Sequence, residues 1–190
     1  MKRQGYRKFI LGCMLFMLSA CTDDIENEYA NLRAFFRYPL VATTAPLRTA
    51  LENPGHFCTI RYDARHYYFT GADGTSATQP RTALDAYGAP ISVAGFIVGT
   101  PDLPDLHTGI HQTIAYDLVC PSCYSENAIE RSLTFKKDHP AHNMMVCSRC
   151  QRIYDLNNQG IPIAGPPNSR KLYRYRLTYS TSTGTLIIQN

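Results

Sequence analysis

The chain has 190 residues, with 19 Lys and Arg against 15 Asp and Glu, a formal charge of +4. Four of the basic residues, Lys2, Arg3, Arg7 and Lys8, fall in the first eight positions with no acid among them. From residue 21 onward the other 15 basic residues balance the 15 acidic ones, and no run of like charge builds a cationic patch, so nucleic acid is excluded as an expected partner.

The basic start is followed by "FILGCMLFMLS" at 9–19, an apolar run of 11 residues. A cationic flank followed by an apolar run too short to span as a mature helix is a secretory signal. It ends in "LSAC", which resembles the lipobox of bacterial lipoproteins, where the cysteine is acylated and becomes the first residue. The resemblance implies a signal peptide at 1–20, lipid on Cys21 and attachment to a membrane through that lipid. "TDDIENE" then carries Asp23, Asp24, Glu26 and Glu28 within an acidic tether at 21–32, similar to the export signal of surface lipoproteins in one Gram-negative phylum. The expected location is the cell envelope, at the outer membrane and compatible with surface exposure, where a protein partner is allowed but not identified.

Removing residues 1–20 leaves 170, enough for one domain of ordinary size at 33–190. With 13 Tyr, 8 Phe, 12 Gly and 12 Pro, and no long amphipathic helical stretch, the composition favours a mostly antiparallel all-β fold. A helix is expected only near "NEYANLRAFF" at 27–36, with one turn at "TALDAYG", and "TGADGTSATQP" at 70–80 is expected to be a surface loop.

Strands are expected at "FCTIRY", "HYYFT", "ISVAGFIVG", "QTIAYDLVC", "SLTFKK", "NMMVC", "RIYDL", "KLYRYRLTYS" and "TLIIQN". In the first, alternation puts Phe57, Thr59 and Arg61 on one face and Cys58, Ile60 and Tyr62 on the other, which makes Cys58 a small core residue. In "KLYRYRLTY", Leu172, Arg174, Arg176 and Thr178 stand opposite Lys171, Tyr173, Tyr175, Leu177 and Tyr179, an amphipathic strand with an aromatic face.

Chemistry concentrates in "VCPSCYSENAIERSLTFKKDHPAHNMMVCSRCQ". Cys120 and Cys123 form one C-x2-C pair, Cys147 and Cys150 a second, and 23 residues separate them. Paired C-x2-C motifs at this separation have the ligand spacing of a tetrahedral thiolate site, because each two-residue spacer turns both sulfurs inward. Four soft thiolates select zinc or iron over magnesium or calcium. Metal knuckles often have glycine after the second cysteine; Tyr124 and Gln151 stand there, with an expected strain of about 1 kcal/mol each in a left-handed conformation. His139 and His142, between the pairs, are expected in an exposed turn.

The continuation "CSRCQRIYDLNNQGIPIAGPPNSRKLYRYRLTYSTSTGTLIIQN" contains Tyr154-Asp155-Leu156, Gly160, Gly165-Pro166-Pro167, Leu172 with Tyr175, and Gly184. This succession resembles the second half of Rieske iron-sulfur domains, and "AYDLVCPSC" looks like their strand into the first ligand loop. The resemblance covers 114–190 and implies antiparallel sheets with a small two-loop metal-binding subdomain. Rieske centres take two histidines on one iron; here Cys150 replaces the second histidine and Cys123 stands one residue beyond the first. The expectation is zinc held by Cys120, Cys123, Cys147 and Cys150 in a structural role. An all-cysteine [2Fe-2S] cluster or a mononuclear iron, making an electron carrier, is the first alternative, and disulfides are the second. A lipobox signal with only Arg7-Lys8 argues against export of a folded, cluster-loaded chain. His56, His66, His107 and His111, with Asp102 and Asp105, are accompanied by no nucleophile elbow, phosphate loop or zincin motif, so a non-enzymatic binding or assembly role is expected.

Overall fold

The computed structural model describes residues 29–82, 88–106, 108–137, 143–167 and 169–190. The signal segment, Cys21, most of "TALDAYG", His107, His139 and His142 lie outside the described residues. The fold is mostly β, as its composition led one to expect, with an eight-stranded and a four-stranded antiparallel sheet.

In chain order the large sheet takes β1 (Phe35–Tyr38), β2 (His56–Tyr62), β3 (His66–Gly71), β4 (Ser76–Pro80), β5 (Phe96–Thr100), β6 (Ile114–Asp117), and then β11 (Arg174–Ser180) and β12 (Thr185–Gln189). Its spatial order is β1-β12-β11-β6-β5-β2-β3-β4. The small sheet is built from β7 (Thr134–Phe135), β8 (Met144–Val146), β9 (Ile153–Asp155) and β10 (Ile161–Ala164), in the order β10-β9-β8-β7.

The large sheet curls on itself, and aromatic rings show why. Phe36 and Tyr38 of β1, at one edge, meet Tyr67 and Phe69 of β3, seventh of the eight strands, with centroids 5.0–5.7 Å apart. A twisted sheet buries one face of bulky rings most fully by curving around them. Helix α1 (Ala45–Glu52) lies against this concave face, burying Pro46, Leu47, Ala50 and Leu51. The helix falls where no helix was expected, and residues 29–34, where one was, are not helical. Its sequence signals are short: Pro46 in the first turn, where a preset φ suits helix entry, and Asn53-Pro54-Gly55 as a stop. The Thr100 hydroxyl donates to the free carbonyls of Ala50 and Leu51 at 3.1 and 3.3 Å. Residues 76–80, expected within a loop, form the edge strand β4, paired to β3 from His66↔Pro80 to Thr70↔Ser76.

The central strands separate two cores by alternation. Cys58, Ile60, Phe96, Val98 and Ala115 face the first core with α1, whereas Phe57, Ile97, Ile114 and Tyr116 face a second. β5 and β6 are therefore buried at every position, the pattern of strands covered on both faces. Gly95 opens β5 with φ +115°, and a Cβ there would stand 2.5 Å from the Ile60 carbonyl oxygen, so only glycine allows this approach. Leu172, just before β11, packs into the second core and Tyr175 joins the first, the opposite faces that alternation assigns them. The small sheet covers that second core with Leu133, Met145, Tyr154 and Leu156, and the four cysteines lie there.

Candidate metal centre

The first cysteine pair is carried by the chain leaving β6. Asp117, the last residue of that strand, is fully buried and accepts hydrogen bonds from the backbone N–H groups of Val93, Ala94 and Val119 and from the Tyr175 hydroxyl, at 2.8–3.2 Å. Burial pushes its carboxyl above the usual range, and those four donors oppose the shift by favouring the ionised form. The Asp117 bond to Val119 N–H fixes the chain just before Cys120, whose own N–H donates to the Arg131 carbonyl at 2.8 Å.

Cys120 then caps a second helix, α2 (Pro121–Asn127), with Pro121 at its start and Cys123 in its first turn. The first pair thus opens a helix, and Tyr124, where a left-handed conformation was expected, is helical. The left-handed residue comes later, at Ala128 with φ 52°, where α2 ends. The second pair follows expectation. Cys147 leaves β8, Cys150 sits on the turn into β9, and Gln151 takes φ 59°, with its N–H on the Cys147 carbonyl at 2.9 Å.

Strain at Gln151 is therefore measurable. Gln151→Gly should raise unfolding stability by up to about 1 kcal/mol, and the β-branched Gln151→Val should lower it by a similar amount. Urea unfolding of the metal-loaded chain measures both changes, and a Val variant as stable as the original would show that no strain is stored there.

All four sulfur atoms lie within 4.8 Å of one another. Across the loops, Cys120 and Cys150 sulfurs are 3.6 Å apart and those of Cys123 and Cys147 3.8 Å. Metal–sulfur bonds of about 2.3 Å in a tetrahedron give edges of about 3.8 Å, so the four sulfurs are spaced to share a single ion. The described cysteines are free thiols. Cys120 and Cys147 are fully buried, Cys123 nearly so, and Cys150 is the partly exposed member.

Burial raises the Cys120 and Cys123 thiols. At Cys150 burial also pushes upward, but hydrogen bonds from the Arg152 backbone and side chain and from Cys147 and Cys120 outweigh it and bring the thiol to about 7. Cys150 is thus drawn toward its thiolate more readily than an ordinary cysteine. The Tyr154 hydroxyl, 3.4 Å from Cys120 Sγ, is raised by burial and by that sulfur, and so stays protonated and able to donate to the sulfur when it is ionised.

Three residues around the cysteines were not singled out for this role from sequence: Asp117, Arg152 and Tyr154. Each carried a weak signal. Asp117 is an acid inside an apolar run, and Arg152, Tyr154 and Leu156 share one phase of the β9 alternation, all turned inward. Cys58 lies fully buried in the first core, away from the cluster, with its thiol pushed up to about 12 by burial. His56, His111, Asp102 and Asp105 are exposed and His66 half-buried. The His56 and His111 rings meet the backbone carbonyls of Pro54 and Pro101. No protein-family model matches the chain, and comparison with curated proteins returns no match.

Proposed function

We propose that this is an exported, lipid-anchored protein whose residues 114–190 form a Rieske-like module clamping one structural zinc ion through Cys120, Cys123, Cys147 and Cys150. The observation that carries this reading is the convergence of four sulfurs within 4.8 Å, with cross-loop separations of 3.6 and 3.8 Å. Those distances suit one tetrahedral ion. A [2Fe-2S] cluster needs room for two irons and two bridging sulfides between its thiolate pairs. Disulfides would require sulfurs about 2.05 Å apart.

Four thiolates fill a tetrahedral ion and leave no coordination position for substrate, which favours a structural role over catalysis. The ion would join the first loop, on α2, to the second, between β8 and β9, and so fasten the small sheet to the large one. Anchoring rests on residues 9–21 and their likeness to a lipobox, with the acidic run after Cys21 as tether. A module held this way suits binding or assembly at the cell envelope.

The test is made on full-length protein extracted from membranes and kept anaerobic from lysis onward. One zinc per chain, no visible absorbance and an acylated Cys21 by mass spectrometry are expected. Iron with visible absorbance would replace this reading with electron transfer. Neither metal, together with no titratable thiols, would replace it with disulfides.

A further inference from the structure

Arg152 is a cation in a place where cations are rarely found. Its residue is 4% exposed, just before β9 and two positions after Cys150. An unpaired buried charge is strongly unfavourable, so its partners identify what it serves. Its Nε donates to Ser169 Oγ at 2.8 Å, and its Nη2 meets Glu126 Oε1 at 3.1 Å. Its backbone carbonyl accepts the Cys147 N–H at 3.0 Å, which places the residue beside the cysteine cluster.

The surroundings are shaped to that side chain. Gly165, at φ +127°, lies against it so closely that a Cβ would stand 2.6 Å from Arg152 Cγ, and Ser169 Oγ donates to the Pro166 carbonyl at 2.6 Å. The Gly-Pro-Pro loop is thus laid over the arginine. Glu126 is about half exposed, so its charge is partly met by water and does not account for a guanidinium this buried. Four thiolates on a divalent ion carry a net double negative charge, and Arg152 stands two positions from Cys150, their one partly exposed member.

We propose that Arg152 is the fixed counter-charge of the cysteine site, a positioning residue that strengthens binding of a divalent ion by offsetting thiolate charge and orienting Cys150. This rests on the reading that the four cysteines hold a metal. Partners of this kind around a metal site typically change affinity by about 10–100-fold when removed. The charge role is separable from a packing role, because lysine keeps the charge without the planar fork, and glutamine keeps hydrogen bonding without the charge.

The experiment loads full-length original, Arg152→Lys and Arg152→Gln proteins with cobalt(II) alone, in competition with a chromophoric chelator. Arg152→Gln should bind about 10–100-fold more weakly, and its sulfur-to-cobalt charge-transfer band should move to longer wavelength, because thiolate electrons leave more easily without a neighbouring cation. Arg152→Lys should recover most of the affinity and the original band position. If the original protein binds no cobalt, the metal reading fails and this inference with it. If the original binds and Arg152→Gln matches it in affinity and band position, the inference alone fails. Glutamine outperforming lysine would likewise overturn it, in favour of a neutral packing role.

Discussion

Stripping the metal from the loaded protein, or replacing Cys120 with serine, should lower the melting temperature by about 8–16 °C. The estimate follows from linkage. An ion present at about 1,000 times its dissociation constant stabilises the fold by about 4 kcal/mol, and in a domain of this size each kcal/mol moves the midpoint by about 2–4 °C. The loss should be uneven. The second core contains Cys120, Cys123 and Cys147 among its buried members, with few other residues to hold β7 and β8 in place. The first core has its own aromatic cluster and α1, and no cysteine of the site.

Calorimetry with and without chelator measures the shift, and hydrogen exchange locates it. Protection should fall in Met144–Val146 and Ile153–Asp155 while persisting in His56–Tyr62 and Phe96–Thr100. An unchanged melting temperature on metal removal would contradict a structural ion.

Replacing Asp117 should cost the fold about 3 kcal/mol or more. Its carboxylate accepts three N–H groups and one hydroxyl, all in a buried setting. Asp117→Leu leaves those donors without acceptors, at about 1–3 kcal/mol for each that water cannot reach. Asp117→Asn is milder, because one oxygen remains, but its NH2 group is turned toward an N–H donor.

The pH dependence has a definite sign. Burial raises the Asp117 carboxyl in the folded chain above its value of 3.8 in the unfolded one. Between those two pKa values the folded state binds more protons. The Asp117 contribution is therefore greatest below the unfolded pKa and declines as pH rises through the folded pKa. The stability difference between original and Asp117→Asn should accordingly be larger near pH 4 than at pH 7. Denaturant midpoints at both values measure it, and a difference that grows with pH would show that the hydrogen bonds outweigh burial.

The two predictions act on one line of chain. Asp117 ties β6 to the turn before β5 and to Tyr175 of β11, and three residues later Cys120 enters the cluster. A defect at Asp117 should therefore loosen the first cysteine pair as well as the sheet. The connection is legible only in three dimensions, because Asp117 and Tyr175 are 58 positions apart.

Much of the fold can be read from short-range pattern. Alternation in "FCTIRY" correctly divides Phe57 from Cys58 and Ile60, because side chains on a strand must point to opposite faces, and here each face has its own core. The same rule places Tyr175 inward and Arg176 outward. The two C-x2-C pairs name the four cysteines because a two-residue spacer is itself a local geometric constraint.

Other features escaped because their cause lies elsewhere in the chain. Helix α1 has eight residues, too few to be stable by propensity alone, and it forms because the curled sheet gives Leu47 and Leu51 a surface to cover. The helical turn at Cys120–Cys123, rather than a second glycine-type knuckle, is set by Pro121 and by packing against the second core. Arg152 reads in sequence as an ordinary surface cation, and it is buried because Glu126 and Ser169 arrive around it from two other segments. By itself, then, the sequence determined strand faces, the all-β class and which cysteines pair by spacing, since these depend on neighbours a few residues apart. Only the tertiary structure decided that the four sulfurs meet and which charges surround them, since those contacts join residues tens of positions distant.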